Sequence, residues 1–142
     1  AEMGQYINDC ILKTLAGQIS KEKPLFLKIA YNGPKAMEEL ASYDPENLVI
    51  GILGGGKGTS RDCFELLSQA CKYGARVALF GRKVNLSENQ LTIIKTMRDV
   101  IENNIKSEEA VKLYHDKLHK IGISPDRDIK EDSELTEESL KM

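Results

Sequence analysis

The sequence predicts an α/β fold made of three consecutive βα units. Three short, mostly apolar segments recur along the chain, and their starts lie roughly 23 to 28 residues apart, a spacing typical of βα units. The segments run over 25–31, 48–53 and 76–80. Segments that are apolar at nearly every position are typical of strands buried on both faces of a parallel sheet. We therefore expect a parallel sheet with right-handed crossovers.

The composition favours one compact domain. The chain has 142 residues, of which 41% are hydrophobic and 30% charged, and its net charge is −2. That length suffices for one hydrophobic core and is too short for two ordinary domains. No apolar run reaches the about 18 residues that a membrane span needs. The near-balanced charge and the 6% aromatic content argue against nucleic acid as a partner.

The cysteine pattern indicates a reducing compartment. The chain has three cysteines, and their odd number and the absence of CxxC spacing argue against a disulfide framework or a zinc site. We expect Cys10, Cys63 and Cys71 to be free, buried thiols in the cytoplasm. The first residues alternate polar and apolar, unlike a signal peptide. Because the chain begins at Ala1, either its start was processed or it is part of a longer protein.

Apolar residues at helical spacing predict five helices before, between and after the strands. They run over 1–19, 35–42, 60–73, 87–103 and 107–121. Pro34 is expected to open the second helix, and Gly74 and Gly122 to end the third and the fifth. Ser87 and Gln90 have the spacing of a capping box at the start of the fourth helix.

The last part of the chain differs in composition from the rest. Ser107 is expected to cap the fifth helix, whose first turn carries acidic residues that the helix dipole favours. From Ser124 onward the sequence is polar and mostly acidic, with few apolar anchors. We therefore expect a domain at 1–123 and a flexible or surface-draped acidic tail at 124–142.

Lys28 is a candidate nucleophile. It lies near the carboxyl end of the first apolar segment, the edge where catalytic groups collect in α/β folds. Burial of its ammonium would lower its pKa, and a neutral lysine can attack a carbonyl to form a Schiff base. The alternative is a lysine whose ammonium reaches solvent from the end of the strand.

The loop after the second strand has the composition of a phosphate-binding loop. Its glycines are Gly54, Gly55, Gly56 and Gly58, and a predicted helix follows at once. Glycines let backbone amides approach an anion closely, and a helix N-terminus favours negative charge. The alternative is a tight βα turn without a ligand.

A Walker A motif is matched only in part by the same loop. Gly51, Gly56 and Lys57 have the required spacing, but Gly58 stands where the magnesium-binding Ser or Thr belongs, and Thr59 comes one residue late. The G-x-G-x-x-G dinucleotide fingerprint is absent. A P-loop-like NTPase is therefore a weaker alternative.

Two further features follow the third strand. Gly81 and Arg82 could bind a phosphate from the side opposite the glycine-rich loop, because the loops after the last two strands of a (βα)8 barrel commonly form its phosphate site.

His115 and His119 lie four residues apart, but the HExxH motif is missing. We therefore expect these histidines to lie on a solvated helix face and to form no metal site.

Three of these features together resemble a known family: Lys28, the glycine-rich loop, and Gly81 with Arg82. The segments FLKIAYNGP, LVIGILGGGKGTSRDCFELL and YGARVALFGRKV are similar to the last three strands of class I aldolases of the archaeal-type fructose-bisphosphate aldolase family, which is related to the deoxyribose-phosphate and tagatose-bisphosphate aldolases. The resemblance covers residues 25–85. It implies that the chain is the C-terminal portion, about three βα units, of a (βα)8 TIM barrel with extra helices and the tail.

The resemblance also implies roles for individual residues. Lys28 would be the Schiff-base residue and Tyr31 would line the substrate pocket. The phosphate-binding residues would be Gly54, Gly55, Gly56, Lys57, Gly81 and Arg82. Lys83 stands where the family usually has asparagine. The general acid/base residues of the family, a tyrosine and an aspartate on earlier strands, have no counterpart here.

The function implied by the resemblance is that of a Schiff-base (class I) aldolase-type lyase acting on a phosphorylated ketose such as fructose 1,6-bisphosphate. The iminium polarises the substrate, so neither a metal nor another cofactor is expected. A non-catalytic phosphate-binding or interaction module is the competing hypothesis. The expected partners are the phosphorylated sugar and either further copies of the chain or the missing N-terminal half of the barrel, and no membrane.

Overall fold

The computed structural model describes residues 2–141, and it confirms an α/β fold. Three strands form a parallel sheet in the order β1-β2-β3. They comprise Phe26–Ile29 (β1), Val49–Leu53 (β2) and Val77–Leu79 (β3). The register places Lys28 opposite Gly51 and Ile52 opposite Ala78. Each strand is shorter than its apolar segment.

Seven helices accompany the sheet within the described residues. They comprise Glu2–Ala16 (α1), Pro34–Tyr43 (α2), Ser60–Lys72 (α3), Arg82–Asn85 (α4), Gln90–Glu102 (α5), Ser107–Lys120 (α6) and Ile129–Asp132 (α7), and a 3-10 turn follows at Glu138–Leu140. Pro34 opens α2, and Gly74 and Gly122 follow α3 and α6 with positive φ, all as expected. Each of these helices is too short or too polar to cross a bilayer.

One face of the sheet is packed against helices. Leu27 and Ile29 of β1, and Ile50 and Ile52 of β2, contact a core to which α1, α2 and α3 contribute. The helical members of this core include Leu15, Met37, Leu40, Leu66 and Ala70. A second core lies on the other side of α3, between α3, α5 and α6, and is centred on Phe64 and Tyr114, whose rings meet edge to face. Helix α3 therefore lies between the two cores.

The opposite face of the sheet has no helix over it among the described residues. Phe26 is 44% exposed and Val77 is 36% exposed. A Cβ built on Gly51 would lie 2.6 Å from the ring of Phe26 and 3.0 Å from a methyl carbon of Leu79, so the ring lies across the glycine on this face. Because strand residues alternate, Lys28 lies on the same face as Phe26.

Two of the expected caps are wrong. Helix α5 begins at Gln90, and its cap is Asn89, whose side chain accepts a hydrogen bond from the amide of Thr92. The reason is the short helix α4, which precedes α5. The Ser87 hydroxyl donates a hydrogen bond to the carbonyl of Val84 in α4 and is therefore not free to cap α5. Lys106 occupies the cap position of α6. Ser107 lies inside the helix, and its hydroxyl donates to the carboxylate of Glu65 on α3.

The C-terminal segment lies along the domain surface and is tied to it. Of the two expected descriptions, surface-draped fits residues 124–141, because Leu140 is buried in the core under the sheet and its carbonyl accepts from the side chain of Gln69. The polar anchors are equally specific. Asp132 is buried and accepts from the amide of Ser60, and Thr59 donates its hydroxyl to the carbonyl of Glu134. The division at 123/124 stays a prediction.

Asp62 is the main attachment point of this segment. Its carboxylate accepts from the amide of Thr59 in a capping box, from the amide and hydroxyl of Thr136, and from the amide of Glu137. Burial alone would raise the pKa of Asp62, but the hydrogen bonds from Thr136, Thr59 and Glu137 outweigh it and hold the pKa below its usual value. The charged carboxylate is therefore the form that holds the segment.

We expect Asp62 to make the stability of the domain acid-sensitive. Its folded pKa is depressed, so its contribution is present above the unfolded value of about 3.9 and is lost as the pH falls through the folded pKa. Urea unfolding from pH 7 down to pH 3 should show a smaller loss of stability for Asp62→Asn than for the unsubstituted chain. Asp116→Asn, which removes an exposed carboxylate, should follow the unsubstituted chain. Parallel curves for all three proteins would contradict this assignment.

Candidate functional site

The carboxyl ends of the three strands bring the candidate residues to one edge of the sheet. Lys28 lies in β1, the glycine-rich loop at 54–58 follows β2, and Gly81 with Arg82 follows β3. The strands are parallel and adjacent, so the three positions lie side by side. Gly54 is three residues beyond Gly51, the partner of Lys28, which is roughly 10 Å along the strand.

Lys28 is exposed, which fits the alternative of a lysine whose ammonium reaches solvent and not the one of a buried ammonium. The apolar segment indicates a strand with both faces covered, but only the face that carries Leu27 and Ile29 is packed against helices. The strand neighbours that share the face of Lys28 are apolar: Phe26, Val49, Gly51, Leu53, Val77 and Leu79. Lys28 is thus the one ionisable side chain on an otherwise apolar face of the described sheet.

The glycine-rich loop and the loop after β3 touch. A Cβ on Gly54 would lie 2.9 Å from the ring of Phe80 and 3.3 Å from the Cα of Phe80. A glycine is therefore needed where the loops that follow β2 and β3 leave the sheet side by side. The ammonium of Lys83 lies 3.4 Å from the carbonyl of Lys57 and from the position of a Cβ on Gly58. The structure therefore brings together the two loops that the sequence assigns to one phosphate.

Gly55 and Gly56 lie at the open side of the loop. A Cβ on either residue would meet no atom within 4 Å, although Gly55 has a φ of +68° that disfavours side chains. Gly81 is equally unobstructed, and Arg82 is exposed. Packing thus explains why Gly54 and Gly58 are glycines, but it does not explain Gly56 or Gly81.

Lys57 and Thr59 have partners within the chain. The ammonium of Lys57 lies 2.8 Å from a carboxylate oxygen of Asp126 in the C-terminal segment. Interaction with this ammonium holds the pKa of Asp126 below its usual range. Thr59, one residue late for a magnesium ligand, caps α3 and donates its hydroxyl to the carbonyl of Glu134. Its hydroxyl is therefore already used.

Tyr31 lies in the core under the sheet. It is buried, and its hydroxyl donates to the side-chain oxygen of Gln69 on α3 at 2.9 Å. Burial raises the pKa of Tyr31 far above its usual value. The structure therefore does not bring its hydroxyl to Lys28, and the role of Tyr31 in a substrate pocket stays a prediction.

Two expectations outside this edge are wrong, the exposure of His115 and the burial of all three cysteines. His115 is buried and its Nε2 lies 2.9 Å from Asp132, because the C-terminal segment covers that side of α6, whereas His119 is exposed as expected. The cysteines are free, but only Cys63 is buried, since Cys10 and Cys71 lie on outer helix surfaces.

Sequence reasoning missed the residues that join the C-terminal segment to the loops. Lys83 is 1% exposed, and its ammonium pairs with the carboxylate of Glu137 at 2.7 Å. The position after Gly81 and Arg82 was the available signal for Lys83. No local pattern marks Glu137 or Asp126, because their partners are 54 and 69 residues away in sequence.

Comparison with known proteins places these residues in context. No protein-family model matches the chain. The chain is 31% identical over 101 residues to the 3-hydroxy-5-phosphonooxypentane-2,4-dione thiolase of Salmonella typhimurium, a match that covers 71% of this chain and 34% of that protein. This similarity is consistent with an aldolase-type superfamily and does not single out one member.

Two further relatives show a similar identity over a similar part of this chain. The thiolase of the same name from Yersinia enterocolitica is 31% identical over 109 residues, covering 77% of this chain and 36% of that protein. A protein of Pasteurella multocida named as an uncharacterized aldolase is 29% identical over 103 residues, covering 72% and 35%. The chain spans about a third of the length of these aldolase-type relatives.

The loop geometry predicts different effects for two glycine substitutions. Gly58→Ala should destabilise the domain by about 1–2 kcal/mol, because φ is +61° and the new Cβ would lie 2.8 Å from a carboxylate oxygen of Asp62. Gly56→Ala should leave the free energy of unfolding unchanged within about 0.5 kcal/mol. Urea unfolding measures both. Equal losses would show that Gly56 is also a packing requirement.

Proposed function

We propose that this chain is the C-terminal part of a (βα)8 barrel whose complete form is a Schiff-base (class I) aldolase-type lyase. The substrate would be a phosphorylated ketose such as fructose 1,6-bisphosphate, in which a carbon–carbon bond is cleaved or formed. The observation that carries the proposal is the convergence of Lys28 and two contacting, glycine-containing loops at one edge of a parallel sheet. Similarity to aldolase-type relatives supports it.

Lys28 would carry the covalent chemistry. Its neutral amine adds to the substrate ketone, and loss of water leaves an iminium between Nζ and the carbonyl carbon. During cleavage the bond between the α and β carbons breaks, and its electron pair moves toward the iminium to leave an enamine. The β-hydroxyl gives its proton to a base and becomes the carbonyl of the departing aldehyde, and bond formation runs in reverse. The apolar neighbours of Lys28 suit this role once the face is covered, since exclusion of water favours the uncharged amine.

The two loops would hold the phosphate. Backbone amides of Gly55 and Gly56 approach from one side, and the amide of Gly81 with the guanidinium of Arg82 from the other. Arginine presents a planar fork that suits phosphate oxygens, and Arg82 is exposed and available. A phosphate fixed about 10 Å along the sheet from Lys28 would hold the ketone beside the amine, which lowers the entropic cost of attack.

The open face of the sheet supports the barrel. Parallel sheets are almost always covered on both faces, and both edge strands here lack a neighbour in the three-stranded sheet. Burying a Phe or Val side chain completely is worth about 1.5–3 kcal/mol, which is large against a typical domain stability of about 5–15 kcal/mol. Closure with further strands would cover Phe26 and Val77 and remove both edges.

The covering strands would come from the missing N-terminal half of the barrel or from other copies of the chain. They would also supply the general acid and base, because the described residues beside Lys28 on its face are apolar. Helix α1 offers an apolar groove of about 440 Å³ along β1 that such an element could fill. Tyr6, Ile7 and Leu27 are among its lining residues.

A non-catalytic phosphate-binding module is the second candidate. It is favoured by one observation, the exposure of Lys28, which lies on an uncovered face of the sheet. Both candidates bind phosphate through the same loops. They differ in whether a carbonyl becomes covalently attached to Lys28.

Reductive trapping with dihydroxyacetone phosphate separates the two candidates. Borohydride reduces the iminium to a stable secondary amine, and the intact mass of the protein then reports the adduct. We expect an adduct on the unsubstituted chain that is lost in Lys28→Ala. Lys35→Ala is the matched control, because Lys35 is a highly exposed lysine just beyond β1 and should keep the adduct.

Each outcome has a distinct meaning. An adduct of equal yield in Lys28→Ala contradicts the assignment of the nucleophile. No adduct on any variant removes the claim that these residues alone form a working site. The experiment is then repeated with the missing strands restored, and a second failure rejects the aldolase proposal in favour of the binding module.

A further inference from the structure

Two lysines beside the glycine-rich loop pair with carboxylates of the C-terminal segment. Lys57 belongs to the loop itself and pairs with Asp126 at 2.8 Å. Lys83 belongs to α4 and pairs with Glu137 at 2.7 Å. The two pairs differ in exposure, and the difference gives them different roles.

The Lys83 pair is a fixed anchor. The Lys83 side chain is fully buried, and its ammonium also reaches the carbonyl of Lys57 at 3.4 Å. Removing one partner from such a pair would leave a buried charge without compensation, which is strongly unfavourable. Together with the bonds from Thr136 to Asp62, this pair fixes the segment beside the loop.

The ion pair of Lys57 and Asp126 is accessible to dissolved anions that could replace the carboxylate. The Lys57 side chain is 28% exposed and that of Asp126 is 60% exposed, so solvent and dissolved anions reach both. The main chain of Asp126 is nevertheless held in place, because its amide donates to the carboxylate of Glu88 at 3.1 Å. The anchored segment therefore presents one accessible carboxylate to the lysine of the loop.

We propose that Asp126 is an internal competitor for Lys57 that sets the affinity of the glycine-rich loop for phosphate. The inference rests on the proposed function, since it takes this loop as the phosphate site. In the free chain the carboxylate occupies the ammonium of Lys57. A bound phosphate takes that ammonium over, and Asp126 turns to solvent while the anchor at Lys83 and Glu137 stays intact.

The size and salt dependence of the effect follow from the exposure of the pair. Exposed ion pairs are weak, so release of Lys57 should tighten phosphate binding only about two- to fivefold. A phosphate dianion carries more charge and more acceptor oxygens than a carboxylate, so it can displace one. Salt screens the competition, so the effect should shrink as ionic strength rises.

The test is a titration with inorganic phosphate at low ionic strength, followed by the backbone amide resonances of Gly55 and Gly56. We expect Asp126→Asn to bind phosphate about two- to fivefold more tightly than the unsubstituted chain. Glu134→Gln is the matched control. It removes one negative charge from the same segment at an exposed position, and it should leave the affinity unchanged.

A double variant assigns the effect to the ion pair. With Lys57→Gln as background, adding Asp126→Asn should change nothing, because the group that the carboxylate occupies is gone. Equal affinity of Asp126→Asn and the unsubstituted chain would overturn the proposal. So would a gain that persists in the Lys57→Gln background, since that gain would reflect net charge alone.

The titration also separates this inference from the function on which it rests. If phosphate shifts the amides of Gly55 and Gly56 but Asp126→Asn has no effect, the phosphate site stands and only the competitor is rejected. If phosphate shifts these amides in none of the variants, both the competitor and the phosphate site are rejected for this chain.

Discussion

The feature on which the rest of the structure depends is a parallel sheet with one covered face. Helices α1, α2 and α3 pack against the face that carries Ile29, Ile50 and Ile52, and these residues are almost completely buried. The other face carries Lys28 among apolar side chains and has no cover among residues 2–141. The exposure of Lys28 follows from this asymmetry, which is also the basis of our proposal that further strands cover the sheet.

The candidate site is organised by backbone proximity more than by side-chain charge. Gly54 lets Phe80 approach, and this close contact sets the glycine-rich loop against the loop after β3. The cationic side chains near the loop are mostly engaged within the chain, Lys83 by Glu137 and Lys57 by Asp126. In the proposed phosphate site, backbone amides and Arg82 would therefore receive the anion, and Asp126 would compete with it for the ammonium of Lys57.

Local patterns predicted the strands, the loops and most helix ends correctly. Apolar segments bounded by glycine and proline give these elements directly, and positive φ at Gly74 and Gly122 follows from their place after a helix. Long-range contacts escaped the sequence analysis. The hydrogen bonds from Thr136 to Asp62, the pair of His115 with Asp132 and the exposure of Lys28 each depend on which residues lie opposite in the fold. Neither composition nor periodicity encodes those neighbours.

Sedimentation velocity of the 142-residue chain tests most directly whether the open face is an inner surface that requires a cover. We expect species heavier than the monomer whose proportion rises with concentration, because exposed apolar faces and unpaired edges associate. Phe26→Lys, which places a charge on the open face, should shift the distribution back toward monomer, whereas Leu91→Lys on α5 should have less effect. A chain that stays monomeric at every concentration and still unfolds cooperatively would contradict the account, because its open face would then be stable in water.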